Sequence, residues 1–212
     1  MTKPLATDRE TYIKLLRSTK REGIENLIDF LENSDFFIAP ASTIYHNCFE
    51  GGLCRHSLDV YINLLNLKGL YMDDPRVQAI PQESYIITAL LHDLSKTNFY
   101  EPYVQNKKLY TPNGSKYDEL GAYDWVSISS YKVKEPQLRF VGLDHCVNSV
   151  LIAEQYINMT LEEKVSVYSH HATFNSATNN KDLSEIYTRY QLALLLHMAD
   201  LVTTYNTETR DE

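Results

Sequence analysis

The sequence predicts an all-α fold, a helical bundle interrupted by one long insert, and three observations carry that prediction. Apolar residues recur at helical spacing, as at Ile24, Leu27, Ile28 and Leu31. Thr160-Leu-Glu-Glu163 is a capping-box signature that marks a helix start. The stretch Ala89-Leu90-Leu91-His92-Asp93-Leu94-Ser95-Lys96 reads as an apolar helical run with an adjacent His-Asp pair inside it. Burying two unpaired polar side chains costs roughly several kcal/mol each, and a divalent cation compensates that cost well. Lys96 follows His92 by four residues and Asp93 by three, so all three are expected near one helix face. The bland alternative is a hydrogen-bonded His-Asp pair in a core with a surface lysine.

Taken in order, the amphipathic stretch around 24–31 ends near Asn33-Ser34-Asp35, and residues 36–50 read as an aromatic-rich loop. Gly51-Gly52 supplies a corner where backbone can come close to another element. Residues 53–67 are helical again, with His56 in the first turn, and Asp73-Asp74-Pro75 and Pro81 punctuate the approach to the His92-Asp93 helix. Residues 98–142 are polar and tyrosine-rich, with Pro-Asn-Gly at 112–114. A connection of that length is expected to be a flap beside the site, holding at most a small β-hairpin. Helical pattern returns from about His145 to Ile157, again up to Ser169-His170-His171, and in one final helix over roughly 183–205. No linker divides the chain, so residues 1–212 are read as one domain.

Composition bounds the function. A formal net charge of −8 argues against wrapping long nucleic acid on a broad basic face. Cys48, Cys54 and Cys146 lack C-x-x-C spacing, which points to a reducing compartment and packing thiols. With no signal-peptide pattern and no long apolar run, a cytoplasmic protein without membrane contact is expected.

Five helices or helix ends each place a metal-ligand type in an apolar setting: His56, His92-Asp93, His145, His170 and Asp200. Imidazole and carboxylate suit Mn, Fe, Co, Ni or Zn, with Mg possible. His56, His92, Asp93 and Asp200 suffice for one ion. Adding His145 and His170 allows a second, with Asp93 bridging. Two ions about 3.5–4 Å apart can activate a water and stabilise charge on a phosphoryl oxygen.

These residues carry a family resemblance. The order His56 … His92-Asp93 … Asp200 resembles the HD superfamily of metal-dependent phosphohydrolases. His92-Asp93-Leu-Ser-Lys96 resembles its H-D-x-x-K variant, in which the lysine contacts substrate phosphate. The spacing of His145, His170 and Asp200 is similar to the two-metal branch. His46-Asn-Cys-Phe-Glu-Gly-Gly-Leu-Cys-Arg-His56-Ser is similar to the opening motif of bacterial and phage HD hydrolases, including the HD domain of a 3′→5′ exoribonuclease. The resemblance implies hydrolysis of a phosphate ester or anhydride of a nucleotide or short oligonucleotide, through a metal-activated water. It implies Asp93 and Lys96 as catalytic residues; Lys96, His171 and Arg55 are expected to contact substrate. Homo-oligomers are common among such hydrolases. His170-His171 is followed by Ala-Thr-Phe-Asn rather than an acidic residue and Gly-Tyr-Pro, so a cyclic dinucleotide is not the expected substrate. A 3′→5′ exonuclease-like phosphodiesterase, a di-iron oxygenase with a similar ligand set, and a nucleotide sensor with a degenerate site are the alternatives. His197 is expected to be a core or supporting histidine. His46 could reach the pocket from its loop, and the tyrosines of the insert (Tyr100, Tyr103, Tyr110, Tyr117, Tyr123, Tyr131) could stack on a base, though most should pack the flap.

Overall fold

The computed structural model describes residues 5–43, 47–140, 143–171 and 180–207. Helices α1 (Leu5–Ser18), α2 (Ile24–Glu32), α3 (Gly52–Leu70), α4 (Pro75–Gln78) and α5 (Gln82–Leu91) are followed by a 3₁₀ turn at Leu94–Lys96. Strands β1 (Tyr100–Tyr110), β2 (Lys116–Asp118) and β3 (Gly121–Val133) come next, then α6 (His145–Ala153), α7 (Leu161–Ser169), α8 (Asn180–Arg189) and α9 (Gln191–Val202). No described helix is long and apolar enough to cross a membrane.

Every residue of α5 from Ser84 to Leu91 is buried. A helix that is apolar on all sides belongs at the centre of a core, and α1, α3, α6, α7 and α9 all pack against it. Leu16, Leu27, Leu31, Leu53, Leu64 and Leu196 fill the space between them without solvent exposure. The glycine corner does what its composition suggests. Gly51 caps α3 with a left-handed backbone, φ 82°, and a Cβ on Gly52 would lie 2.0 Å from the Asn47 carbonyl oxygen. This close backbone contact sets where α3 begins, and therefore where His56 projects.

One buried ion pair ties three elements together. Arg21, after α1, donates to both oxygens of Glu163 at 2.8 and 3.0 Å and to Glu83 at 2.9 Å. Ser84 of α5 donates to the same carboxylate at 2.7 Å. Glu163 also completes the capping box with Thr160 that the sequence announces. Burial raises the Glu163 carboxyl, but these donors outweigh it and hold it below the ordinary value.

The all-α expectation is overturned. The insert is a three-stranded antiparallel sheet of order β1-β3-β2, so the chain is mixed α and β. Its register pairs Tyr100 with Val133 and Tyr110 with Tyr123, which makes a long two-stranded arm rather than a small hairpin. Strands announce themselves by alternating apolar and polar residues only when one face is buried. Here Val104, Leu109, Tyr117, Leu120 and Trp125 are all exposed, so neither face wrote that alternation. The Tyr, Val, Ile and Trp content of the segment was the usable signal.

Two helix boundaries also differ. The expected final helix is broken at Tyr190, which is extended (φ −118°, ψ 97°). The Leu192 amide just inside α9 donates to Glu162 of α7 at 3.4 Å, a tertiary cap that no local pattern reveals. The run through His92-Asp93 is not one helix either. It ends at Leu91, and Asp93 lies in a turn (φ −107°, ψ 20°) ahead of the 3₁₀ segment.

Candidate metal centre

Each ligand-type residue sits at a point the fold fixes. His56 lies near the start of α3 behind the glycine corner, and Asp200 lies on α9, which packs along α3. His92 is the C-terminal cap of α5, with Asp93 in the turn beyond it, and His170 is the C-terminal cap of α7. His145 opens α6. The fold thus gathers all six expected ligands, and His171 with them, into one cluster.

On one side, His56 Nε2 lies 3.1 Å from His92 Nε2, 3.3 Å from Asp200 Oδ1 and 3.5 Å from Asp93 Oδ2. On the other, His170 Nε2 lies 3.8 Å from Asp93 Oδ1, and the His145 ring centroid is 4.3 Å from that of His171. Asp93 faces both sides, one oxygen to each. Ligand atoms within 4.8 Å of one another define the groups His56–His92–Asp200, His92–Asp93–His170 and His145–His170–His171. The first two share His92 and the last two share His170, so the groups are contiguous. Asp144–His145–Cys146 forms a further group at the start of α6.

The tautomers follow from backbone partners. His92 Nδ1 lies 2.9 Å from the Ala89 carbonyl, and His170 Nδ1 lies 2.6 Å from the Val167 carbonyl. A carbonyl oxygen only accepts, so each Nδ1 carries the proton and each Nε2 turns a lone pair into the cluster. Two further atoms expose what the arrangement lacks. Asp93 Oδ1 and His170 Nε2 are buried and, among the described residues, have no hydrogen-bond partner. Buried polar atoms are ordinarily satisfied, and facing lone pairs repel. A cation relieves both defects, so the donor set fits a divalent metal, and these His, Asp and Cys groups could hold one.

The electrostatics agree. Burial raises the Asp93 carboxyl, but the Lys96 ammonium 2.7 Å away holds it well below the usual range. Asp200 is likewise lowered against its burial, chiefly by His56. Burial drives His170 well below its ordinary value, and it takes His171 down to about 4. His145, His170 and His171, all lowered chiefly by burial, are therefore neutral at pH 7, the form that ligates.

The expected substrate contacts fare differently. Lys96 sits 2.7 Å from Asp93 Oδ2, so its ammonium is first a counter-ion of the ligand carboxylate. The His171 side chain is 35% exposed and His145 27%, which marks the open side of an otherwise closed cluster. Arg55, expected to contact substrate, instead donates to Asp59 and Asp8. His197 supports the cluster as expected, through Nδ1 to the His170 carbonyl. The orienting carbonyls of Ala89 and Val167 had no sequence signal beyond their place three residues before each histidine. His46 lies outside the described residues.

No family model, curated protein or solved structure matches the chain.

Proposed function

We propose that the chain is a divalent-metal-dependent phosphohydrolase of the HD type, acting on a nucleotide or short oligonucleotide. The observation that carries this reading is the buried Asp93 carboxylate, whose two oxygens face two histidine groups and whose Oδ1 has no hydrogen-bond partner among the described residues. His56, His92, Asp93 and Asp200 would hold one ion, and Asp93, His145 and His170 a second, with His171 close to that second group. The residue order His56 … His92-Asp93-x-x-Lys96 … His145 … His170 … Asp200, similar to the HD pattern, supports the reaction class. Mn, Fe, Co, Ni or Zn suit these ligands, and Mg is possible.

When bound, the ions supply Lewis acidity for phosphoryl oxygens and lower the pKa of a water. The chain's own residues do the rest. His92 and His170, locked by backbone carbonyls, keep their lone pairs aimed inward without reorganisation. Lys96 balances the Asp93 charge and places an ammonium beside the position of an incoming anion. His171, neutral and half-buried at the open side, offers a ring nitrogen to a phosphate oxygen.

The test is metal analysis coupled to a hydrolysis panel of nucleotides and short oligonucleotides with Mn, Co, Mg and Fe. The expected result is bound transition metal with phosphate or nucleotide release, and a loss of rate of about 100-fold or more in Asp93→Asn, of the order seen when a group stabilising developing charge is removed. Protein that binds metal yet hydrolyses none of the panel overturns the reading. Oxygen uptake by an iron-loaded form would transfer it to an oxygenase.

A further inference from the structure

Ser149, one turn into α6, is fully buried and makes two hydrogen bonds with one hydroxyl. It donates to the His145 carbonyl at 3.0 Å and accepts from the Ser95 amide at 3.1 Å. The first bond is the ordinary one that a helical serine makes to the carbonyl one turn back. The second crosses between elements. The Lys96 and Thr97 amides close the 3₁₀ segment through the Asp93 and Leu94 carbonyls. The Ser95 amide lies at the start of that segment, where a helical amide has no partner within its own helix. Ser95 is itself buried, so its amide needs a partner from elsewhere. The Ser149 oxygen is that partner, and it ties α6 to the turn between Asp93 and Lys96.

The tie bears on the least firmly held histidine of the cluster. His92 and His170 each fix their ring through Nδ1 to a backbone carbonyl. Among the described residues the His145 ring has no such carbonyl: Nδ1 is 3.8 Å from Asp144 Oδ2, and Nε2 is 3.5 Å from Cys146 Sγ. Its place is therefore set by the main chain from which it projects, and Ser149 holds that main chain at the His145 carbonyl. The other end of the tie is the amide two residues after Asp93, whose Oδ1 is turned towards His170. One hydroxyl thus links the two elements that present Asp93 and His145 to the same side of the cluster.

We infer that Ser149 is a positioning residue for the second ion, holding His145 of α6 in register with Asp93 through the Ser95 amide. The inference rests on the two-ion form of the phosphohydrolase reading and adds to it the device that sets the width of the second site. Metal–ligand distances tolerate about 0.2 Å, so slack in this tie is felt at the second ion. The first ion keeps His56, His92 and Asp200, which α3, the end of α5 and α9 supply without it.

The experiment titrates Mn into metal-free protein, followed by calorimetry and electron paramagnetic resonance, for the natural sequence, Ser149→Ala, Ser149→Cys and Ser166→Ala. Two carboxylate-bridged Mn ions give an exchange-coupled spectrum, and a lone ion gives the hyperfine pattern of mononuclear Mn. Ser149→Cys keeps a weak donor and acceptor in place, and Mn has little preference for its sulfur. Ser166, buried on α7, makes the same bond one turn back, to the Glu162 carbonyl at 2.7 Å, and serves as the control. Ser149→Ala is expected to weaken the second Mn about ten- to 100-fold, as loss of a group supporting a metal ligand does, and to leave the first unchanged. Its spectrum at limiting Mn should be mononuclear where that of the natural sequence is coupled. Ser149→Cys should fall between the two, and decides the matter if Ser149→Ala does not fold; Ser166→Ala should bind both ions as the natural sequence does. A second Mn held as tightly in both Ser149 variants overturns the inference alone. Equal weakening of both ions makes Ser149 a packing residue and overturns it too. A natural sequence that binds one Mn with no coupled spectrum overturns the two-ion reading together with this one. Two ions bound, the second selectively weakened in Ser149→Ala, and no hydrolysis of any nucleotide would support the inference while overturning the phosphohydrolase reading.

Discussion

At the scale of single residues, the cluster combines imidazoles that burial keeps neutral with carboxylates that their neighbours keep ionised against burial. His170 and His171 are pushed below the ordinary 6.5, chiefly by burial, and His171 reaches about 4. As pH falls below 6.5, the unfolded chain takes up these protons before the folded one does, so stability drains away towards pH 4. Asp93 and Asp200 are lowered below 3.8, so they too lose stabilisation as pH falls below that value. Every sign is the same. Metal-free protein should show a Tm that declines steadily from pH 7.5 to 4.5 by differential scanning calorimetry; a flat profile would contradict the buried neutral imidazoles. The ligand residues themselves were legible, because histidine and aspartate in apolar runs demand a partner. The pairing of Lys96 with Asp93 was less so. It depends on α5 ending at Leu91, and no glycine or proline marks that end.

At the scale of elements, the sheet is the part that periodicity misjudged. A two-stranded ribbon with both faces in solvent gives no hydrophobic period, so the strands read as a long polar loop. Among the described residues its attachment lies at the root, where Asn98 and Lys134 meet Asp35, Tyr100 meets Ala41, and Phe140 packs on Phe30. Farther out, Val104 is 68% exposed and Tyr117 81%. Replacing residues 105–128 by Asn-Gly joins the paired Val104 and Ser129 through a two-residue turn. The helical body of that variant is expected to keep its metal content, and its Tm should move by only a few degrees. Loss of metal would show that the distal arm supports the centre. The helices were far more legible. The capping box at Thr160 and the glycine corner before α3 lie where local chemistry places them, whereas the end of α5 at Leu91 carries no local stop signal and the break at Tyr190 depends on a tertiary contact.

At the scale of the whole molecule, the candidate ligands come from α3, α5, α6, α7, α9 and the Asp93 turn, so a bound ion would cross-link the helical body. A ligand that binds only the folded state at 100 times its dissociation constant adds about 2.7 kcal/mol, which for a chain of this size is a rise in Tm of roughly 5–10 °C. Saturating Mn or Co should produce that rise in a thermal melt, and a chelator should reverse it; an unchanged Tm would mean the cluster holds no ion. The Arg21–Glu163 knot carries one more consequence. Glu163 and Ser84 meet near the amino ends of α7 and α5, and His92 and His170 cap the carboxyl ends of the same two helices with rings 4.9 Å apart. The two helices thus run in parallel from the buried carboxylate to the cluster. Aligned peptide dipoles leave partial positive charge at amino ends and partial negative charge at carboxyl ends. Glu163 therefore lies in the favourable field of both helices, while their opposite ends project negative potential onto His92, Asp93 and His170. On the phosphohydrolase reading proposed above, that potential would favour a cation and disfavour a phosphate until the cation is bound, an order of loading with metal first and anion second.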